Sequence, residues 1–141
     1  MMYEIRAARA NDAVEIARLN LAFNGVTDSP EAYAARLADP RRVDHPILAL
    51  LDERAVGQAN LRLAPNVFYA EPYAELSELF VEEAHRRQGI ARALIQAAER
   101  LAVESGARQM VILTDFYNHP AQQLYRALGF QHHDIALVKE I

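Results

Sequence analysis

The chain contains no cysteine among its 141 residues. This absence excludes disulfide bonds, thiolate metal ligands and a cysteine nucleophile. Long apolar runs are also missing, because charged residues interrupt every hydrophobic stretch before the roughly 20 residues that a membrane-spanning helix needs. The first residues, MMYEIRAARAND, lack the apolar segment of a signal peptide. We therefore expect a cytoplasmic protein with no membrane partner.

Positive charge is in the minority, with 15 Lys and Arg against 19 Asp and Glu and a formal net charge of −4. Sequence-independent binding of nucleic acid needs a basic surface, so no nucleic-acid partner is expected. A negative surface modestly favours a cationic ligand. The composition is that of an ordinary globular protein. The chain shows no repeat, low-complexity tract or linker, and its length then predicts one domain over residues 1–141.

Glycine is scarce too, with five in the chain, and the familiar glycine-rich phosphate loops are absent. Neither the P-loop pattern nor the three-glycine dinucleotide fingerprint occurs. Gly89 nevertheless lies in the stretch RRQGIA (86–91), where a strand-like run passes into a strongly patterned helix. The first amides of a helix lack intrahelical partners and lie at the positive end of its dipole, so this position suits a diphosphate. A solvated turn explains the same residues equally well.

Hydrophobic periodicity and turn residues predict a mixed α/β chain. Asn11 or Asp12 is expected to cap the first helix. Asn118 is expected to cap the last helix and Gly129 to end it. The predicted strands cover residues 3–7, 47–51, 56–63, 74–81, 109–114 and 132–139, and the predicted helices begin near residues 12, 30, 90 and 118. This order combines antiparallel and parallel pairings, which indicates an α/β sandwich and not a regular doubly wound fold.

Two motifs identify a family resemblance. The pattern Arg86-x-x-Gly89-x-Ala91, which follows LFV and precedes a helix rich in alanine and leucine, resembles the acetyl-CoA motif of the GNAT superfamily of N-acetyltransferases. Downstream, Asn118 followed by LYRALGF (124–130) is similar to the second signature of that family. The resemblance implies a mixed, centrally splayed β-sheet of about six to seven strands, flanked by about four helices.

The resemblance also implies acetyl-CoA as co-substrate. In the family, backbone amides of the loop and helix start hold the pyrophosphate, and the preceding strand pairs with the pantetheine arm. A parallel neighbour splays away from that strand and leaves room for the acyl chain. The implied cofactor-binding residues are Leu79, Phe80, Val81, Arg86, Arg87, Gln88, Gly89, Ile90, Ala91, Arg92 and Asn118.

Two catalytic residues follow from the same resemblance. Tyr125 matches the family tyrosine near the cofactor sulfur, which acts as the general acid; a packing role beside Leu124 is the alternative. Glu78 matches an acidic strand position and is the candidate general base. It is equally well explained as a charge on a solvated strand face. Glu75, expected on the opposite face because strand residues alternate, and a water relay remain open as alternatives.

The resemblance predicts an N-acetyltransferase that moves an acetyl group to a primary amine of a small molecule by direct attack. Acetylation of a protein or peptide amine is the alternative, as is a non-catalytic acyl-CoA-binding module on the same fold. Some relatives that acetylate protein N-termini use a glutamate where this chain has Leu113. That departure argues mildly against such acceptors.

No metal is expected. His132, His133 and Asp134 are consecutive, and neighbouring strand residues point to opposite faces. Dimers are common in the family, so a homodimer is left open, although no interface is legible in the sequence. The identity of the acceptor amine is not encoded in either motif.

Overall fold

The computed structural model of the chain describes residues 2–141. Five strands are formed: β1 (Glu4–Ala7), β2 (Asp44–Leu51), β3 (Arg54–Ala64), β4 (Tyr73–Val81) and β5 (Val111–Ile112). Four α-helices are formed: α1 (Ala13–Asn24), α2 (Pro30–Ala38), α3 (Ile90–Glu104) and α4 (His119–Ala127). Single 3₁₀ turns precede α1 and α3. Among the helices of residues 2–141, none combines the length and hydropathy that crossing a bilayer requires.

The five strands form one sheet in the order β1-β2-β3-β4-β5. The first four pair antiparallel, and β2 and β3 are joined by a two-residue turn at Asp52 and Glu53. Both residues have positive φ, 50° and 66°, as the tight hairpin turns with the strand-matching twist require. Because β5 has two residues and β4 has nine, most of the outer edge of β4 has no strand beside it within residues 2–141.

Helices cover both faces of the antiparallel sheet. On one face, Ile16 and Leu19 of α1 pack on Leu48 of β2, with side chains of α2 against the same cluster. On the other face, α3 lies on β3, and a Cβ at Gly57 would stand 3.4 Å from the Ile90 and Leu94 side chains of α3 and 3.0 Å from the Phe80 carbonyl oxygen of β4. The missing side chain at position 57 therefore avoids a close contact with the backbone of β4.

The described chain forms two compact units, one ending at Val111 and one of residues 112–141. In the second unit, the Asn118 side chain accepts a hydrogen bond from the Ala121 amide at 3.3 Å and caps α4. Gly129 follows the helix with φ of 94°. Both predicted boundaries of this helix are confirmed.

The mixed α/β prediction is confirmed, but the predicted strand count was too high. The sheet has five strands instead of six to seven. The predicted strand at residues 132–139 is wrong, since that segment has no regular secondary structure and Leu137 and Val138 are each 92% exposed. Alternating apolar residues favour a strand, yet a strand also needs a hydrogen-bonded neighbour, which a local pattern does not supply.

Asp12 begins α1 but does not cap it with its side chain. Its carboxylate accepts hydrogen bonds from the Arg9 amide at 2.7 Å and from the Arg6 guanidinium at 2.7 and 2.9 Å. The residue is buried, with 7% of its surface exposed. The hydrogen bonds from Arg6 hold the pKa of Asp12 below its usual range. The pair ties the start of α1 to β1.

We expect Asp12→Asn to lower the free energy of unfolding by about 1–3 kcal/mol at pH 7, because it leaves the Arg6 guanidinium without its carboxylate. A lowered folded-state pKa stabilises the fold above the unfolded pKa of about 3.9, and this contribution is lost as pH falls through the folded value. The difference from wild type in urea titrations should therefore shrink below about pH 4. Asp28→Asn, which removes an exposed ion pair to Arg36, is the control and should change stability much less. A pH-independent difference would contradict this account.

Candidate active site

The RRQGIA loop (86–91) of the first unit contains two residues in the left-handed backbone region. After β4 and the turn Glu83–His85, the chain takes positive φ at Arg87 (62°) and again at Gly89 (82°). Gly89 then occupies the N-cap position of α3. A left-handed conformation is rare for a residue with a Cβ, and it is found at turns and ligand sites. The loop therefore leads directly into the first turn of α3, with Gly89 belonging to both.

The backbone around Gly89 is open to an anion. Within residues 2–141, no atom outside its chain neighbours lies within 4 Å of the place where a Cβ would stand. The first helical hydrogen bond runs from the Ala93 amide to the Gly89 carbonyl at 3.0 Å, so the amides before Ala93 in this turn have no helical acceptor. These amides lie at the positive end of a 15-residue helix. The local geometry can bind a phosphate through its backbone.

The three arginines near the loop are not equivalent. Arg86 turns back onto β4, where its Nε donates to the Val81 carbonyl at 2.9 Å and its guanidinium lies 6.0 Å from the Phe80 ring centroid. All three arginines are exposed. Arg86 is held against the end of β4, while Arg87 and Arg92 add positive charge at the loop and the start of α3.

An ion cluster that the motifs did not reveal holds the base of the loop. Glu82, the first residue after β4, receives hydrogen bonds from Arg54 at 3.1 Å and from Arg18 at 3.2 Å. Arg18 also donates to the Ala55 carbonyl at 2.6 Å. The hydrogen bonds from Arg54 lower the pKa of Glu82. The cluster links α1, the β2–β3 hairpin and the start of the loop. No sequence pattern predicts that these three segments lie close together.

The other side of the loop contacts the start of the chain. The Tyr3 hydroxyl donates a hydrogen bond to the Gln88 side chain. The Tyr3 ring also packs edge-on against His85, with centroids 6.2 Å apart. These contacts join residues about 85 positions apart, and sequence reasoning had no signal for them.

A β-bulge changes the faces of β4. Asn60 of β3 is opposite Glu78, whereas the next residue, Leu61, is opposite Leu76, so Ser77 is an extra residue on β4. Glu75 is opposite Arg62, two positions from Asn60 on the same face of β3. Glu75 and Glu78 therefore share a face, and the expectation that they lie on opposite faces was wrong. Strict alternation fails because the bulge shifts the register by one residue.

Glu78 lies on the face of the sheet that α1 covers. Its carboxylate is half-buried and lies 3.3 Å from the Asn24 side-chain amide at the end of α1. The neighbouring Phe80 stacks on Phe23 of α1, with ring centroids 5.1 Å apart. Leu79 and Val81 are on the opposite face, opposite Ala59 and Gly57 of β3. The carboxylate thus lies beside the α1–α2 connection, with unfilled acceptor capacity at its oxygens.

In the second unit, Tyr125 lies two helical turns beyond the cap Asn118. The side chain is buried, and its ring packs against Phe130 with centroids 5.9 Å apart. Burial raises the pKa of the Tyr125 phenol. The hydroxyl therefore remains protonated through the neutral range, which is the form that a general acid requires.

Metal ligands do not gather in the described part of the chain. Residues 2–141 contain no group of three or more His, Asp or Glu side chains that could hold an ion. His133 and Asp134 form an exposed pair, with Nδ1 and Oδ2 3.1 Å apart. Leu113 is 62% exposed.

Comparison with known proteins agrees with this geometry. The model of the acetyltransferase (GNAT) family matches residues 12–130, and the chain belongs to that family of acyl-transferring enzymes. It is 31% identical over 105 residues to the aminoglycoside N(6')-acetyltransferase type 1 of Salmonella typhimurium strain LT2, covering 69% of this chain and 72% of that protein.

Two further similarities define the extent of the match. N-acetyltransferase 8 of Homo sapiens is 31% identical over 80 residues, which is 57% of this chain and 35% of the human protein. The chain thus spans about a third of the length of that relative. The structure of the aminoglycoside N-acetyltransferase AAC(6')-Iy in complex with CoA has a TM-score of 0.82 and 22% identity, covering 99% of this chain and 95% of that one. At this identity the likeness establishes the fold.

Proposed function

We propose that the chain transfers an acetyl group from acetyl-CoA to a primary amine of a small molecule. The observation that carries this proposal is the loop after β4, where left-handed Gly89 opens the amide-bearing start of α3. The similarity to an aminoglycoside acetyltransferase supports a small-molecule acceptor. The family match runs from residue 12 to residue 130, and we propose accordingly that residues 1–141 act as one acetyltransferase domain.

Acetyl-CoA is proposed to bind along two neighbouring features. The backbone amides from Arg87 to Arg92 bind the pyrophosphate, with the exposed Arg87 and Arg92 side chains in support. The outer edge of β4 at Leu79, Phe80 and Val81 offers backbone groups to the pantetheine amides. Proteins normally avoid exposed strand edges. A ligand that pairs with the outer edge of β4 would explain why so little of it is covered by β5. Asn118 combines its capping role with a contact to the cofactor.

The reaction needs a neutral amine. A lysine-like amine with a pKa of about 10.4 is about one part in 2,500 neutral at pH 7, and supplying that form costs about 4.6 kcal/mol. We propose that Glu78 accepts the proton as the nitrogen attacks the thioester carbonyl carbon. The C–N bond forms, the C–S bond breaks, and the Tyr125 phenol protonates the departing thiolate. The products are an amide and the free thiol of CoA.

A screen of amines with detection of released thiol tests the proposal. Aminoglycosides, diamines, amino acids, lysine peptides and peptides with a free N-terminus should be offered at equal concentration. We expect thiol release with at least one small amine and a matching acetylated product by mass spectrometry. Turnover confined to peptides would move the acceptor to the protein class. Tight binding of acetyl-CoA without turnover on any amine would indicate a binding module.

We expect Tyr125→Phe to lower kcat about 10- to 100-fold with little change in the KM for acetyl-CoA, because the acid is lost while the ring still packs on Phe130. The measurement is steady-state kinetics with the best amine of the screen. Tyr117→Phe is the matched control, since Tyr117 lies in the same unit and is 82% exposed. Equal rates for Tyr125→Phe and wild type would remove Tyr125 from the mechanism.

A further inference from the structure

A small polar cluster lies at the bulge of β4, and we call Asp44, Asn60 and Ser77 the bulge cluster. The Asn60 side-chain amide donates to the Ser77 hydroxyl at 2.8 Å and to an Asp44 carboxylate oxygen at 3.0 Å. Asn60 therefore connects β2 with the one residue of β4 that is extra in the register. The bulge is held by a side chain as well as by backbone pairing.

The burial of Asn60 at this place in the sheet lowers the free energy of unfolding. It is 91% buried, and its Oδ1 atom is buried with no hydrogen-bond partner within residues 2–141. A buried amide with one unsatisfied oxygen destabilises a fold compared with an apolar side chain of similar shape. Polar groups that cost stability in a sheet interior are concentrated where function requires them.

The position of Asn60 connects it to Glu78. The two residues are directly opposite each other on β3 and β4, where the side chains of such a pair stand next to one another. The extra residue Ser77 determines on which face Glu78 emerges, since a regular strand would turn it to the other side. Fixing Ser77 therefore fixes the direction of the Glu78 carboxylate.

We propose that Asn60 is a positioning residue for Glu78: its amide pins the bulged Ser77, and the pinned bulge aims the Glu78 carboxylate at the acceptor amine. This inference rests on the proposed function, in which Glu78 is the base. On β2, β3 and β4 the other charged and titratable groups of this sheet face are Asp44, Arg62, Glu75 and Tyr73, and the α1 side chain that contacts Glu78 is the neutral Asn24. Asp44 also contacts Arg62 of β3 at 3.2 Å, so the carboxylate that Asn60 binds is itself held between β2 and β3.

The test is a double-mutant cycle on the intact chain. Asn60→Leu preserves side-chain size but removes the amide, and we expect kcat to fall about 10- to 100-fold, as small misplacements of catalytic groups do. The KM for acetyl-CoA should stay within about twofold of wild type, because the loop is untouched. In a Glu78→Gln background, Asn60→Leu should cost nothing further, since there is no longer a base to aim.

Two more variants keep the result interpretable. Ser77→Ala removes the hydroxyl that Asn60 pins without touching the core, and it should lower kcat in the same direction by a smaller factor. Gln58→Leu is the matched control, because Gln58 is also buried on β3 and on the same face but is opposite Phe80 instead of Glu78. It should leave kcat within about twofold. Asn60→Leu removes the unsatisfied Oδ1 but also the donor to Ser77 and Asp44, so its melting temperature should stay close to that of wild type.

The outcomes separate the two levels of the proposal. Wild-type kcat in Asn60→Leu, or an equal loss in both backgrounds, would overturn the positioning role and leave the transferase activity intact. A Glu78→Gln variant with wild-type rates would overturn the base and the positioning role together. A wild-type chain that acetylates no amine would overturn the proposed function itself.

Discussion

Gly89→Glu is expected to weaken acetyl-CoA binding at least about 100-fold in isothermal calorimetry, which corresponds to about 2.8 kcal/mol. The glutamate would occupy the open space beside the helix amides and would repel the phosphates through its like charge. Several charge-assisted hydrogen bonds, each contributing about 1.5–3 kcal/mol, would be lost together. The melting temperature of the free protein should fall only by what the left-handed backbone strain of a non-glycine residue costs, because the described residues leave open space beside Gly89.

Two control variants divide this effect into its causes. Gly89→Ala adds a Cβ in the left-handed region, where backbone strain costs about 1–2 kcal/mol, so it reports the effect of strain on stability. Gly89→Gln has the bulk of glutamate without its charge, and it should bind more tightly than Gly89→Glu. Unchanged affinity in Gly89→Glu would show that the cofactor lies elsewhere on the molecule.

Glu78→Gln is expected to lower kcat about 100-fold at pH 7, within the range that a positioned base contributes. The residual rate should rise about tenfold for each pH unit between 7 and 9, because the neutral fraction of a lysine-like amine rises by that factor. The KM for acetyl-CoA should not change. The measurement is a pH–rate profile with a single defined amine.

Glu75→Gln is the control for the Glu78→Gln prediction, because the bulge places both carboxylates on one face. Glu75 lies on the same face of β4 as Glu78, three residues earlier, and its carboxylate is 3.3 Å from the Tyr73 hydroxyl. Glu75→Gln should retain kcat within about twofold. If Glu75→Gln loses activity and Glu78→Gln keeps it, the base is Glu75; if neither variant loses activity, a water relay reaching another group carries the proton.

The sequence alone predicted the elements that depend on local pattern. The α3 periodicity, the cap at Asn118 and the loop at Gly89 all follow from residues close together in the chain, and each lies where it was expected. The family motifs added a prediction that local physics could not make, namely that this helix start after a strand binds a cofactor and is not simply a turn.

What the sequence could not predict depends on contacts across the sheet. The bulge at Ser77 is a property of the pairing between β3 and β4, and no residue near it is a glycine or proline that would mark it. The hydrogen bond from Arg86 to the Val81 carbonyl was not predicted either, because an arginine in such a loop is more simply interpreted as a phosphate ligand. The error at residues 132–139 has the same origin: amphipathic alternation describes one strand, and a sheet requires two.

Gly57 shows how closely the interior and the candidate site are coupled. Its missing side chain lets the first turn of α3 rest on β3, and that same turn carries the amides that face the loop opening. A Cβ there would also stand 3.4 Å from the Ile90 and Leu94 side chains, so a larger residue would press on the first turns of α3. The packing of the sheet interior and the position of the proposed phosphate-binding amides are therefore coupled through position 57.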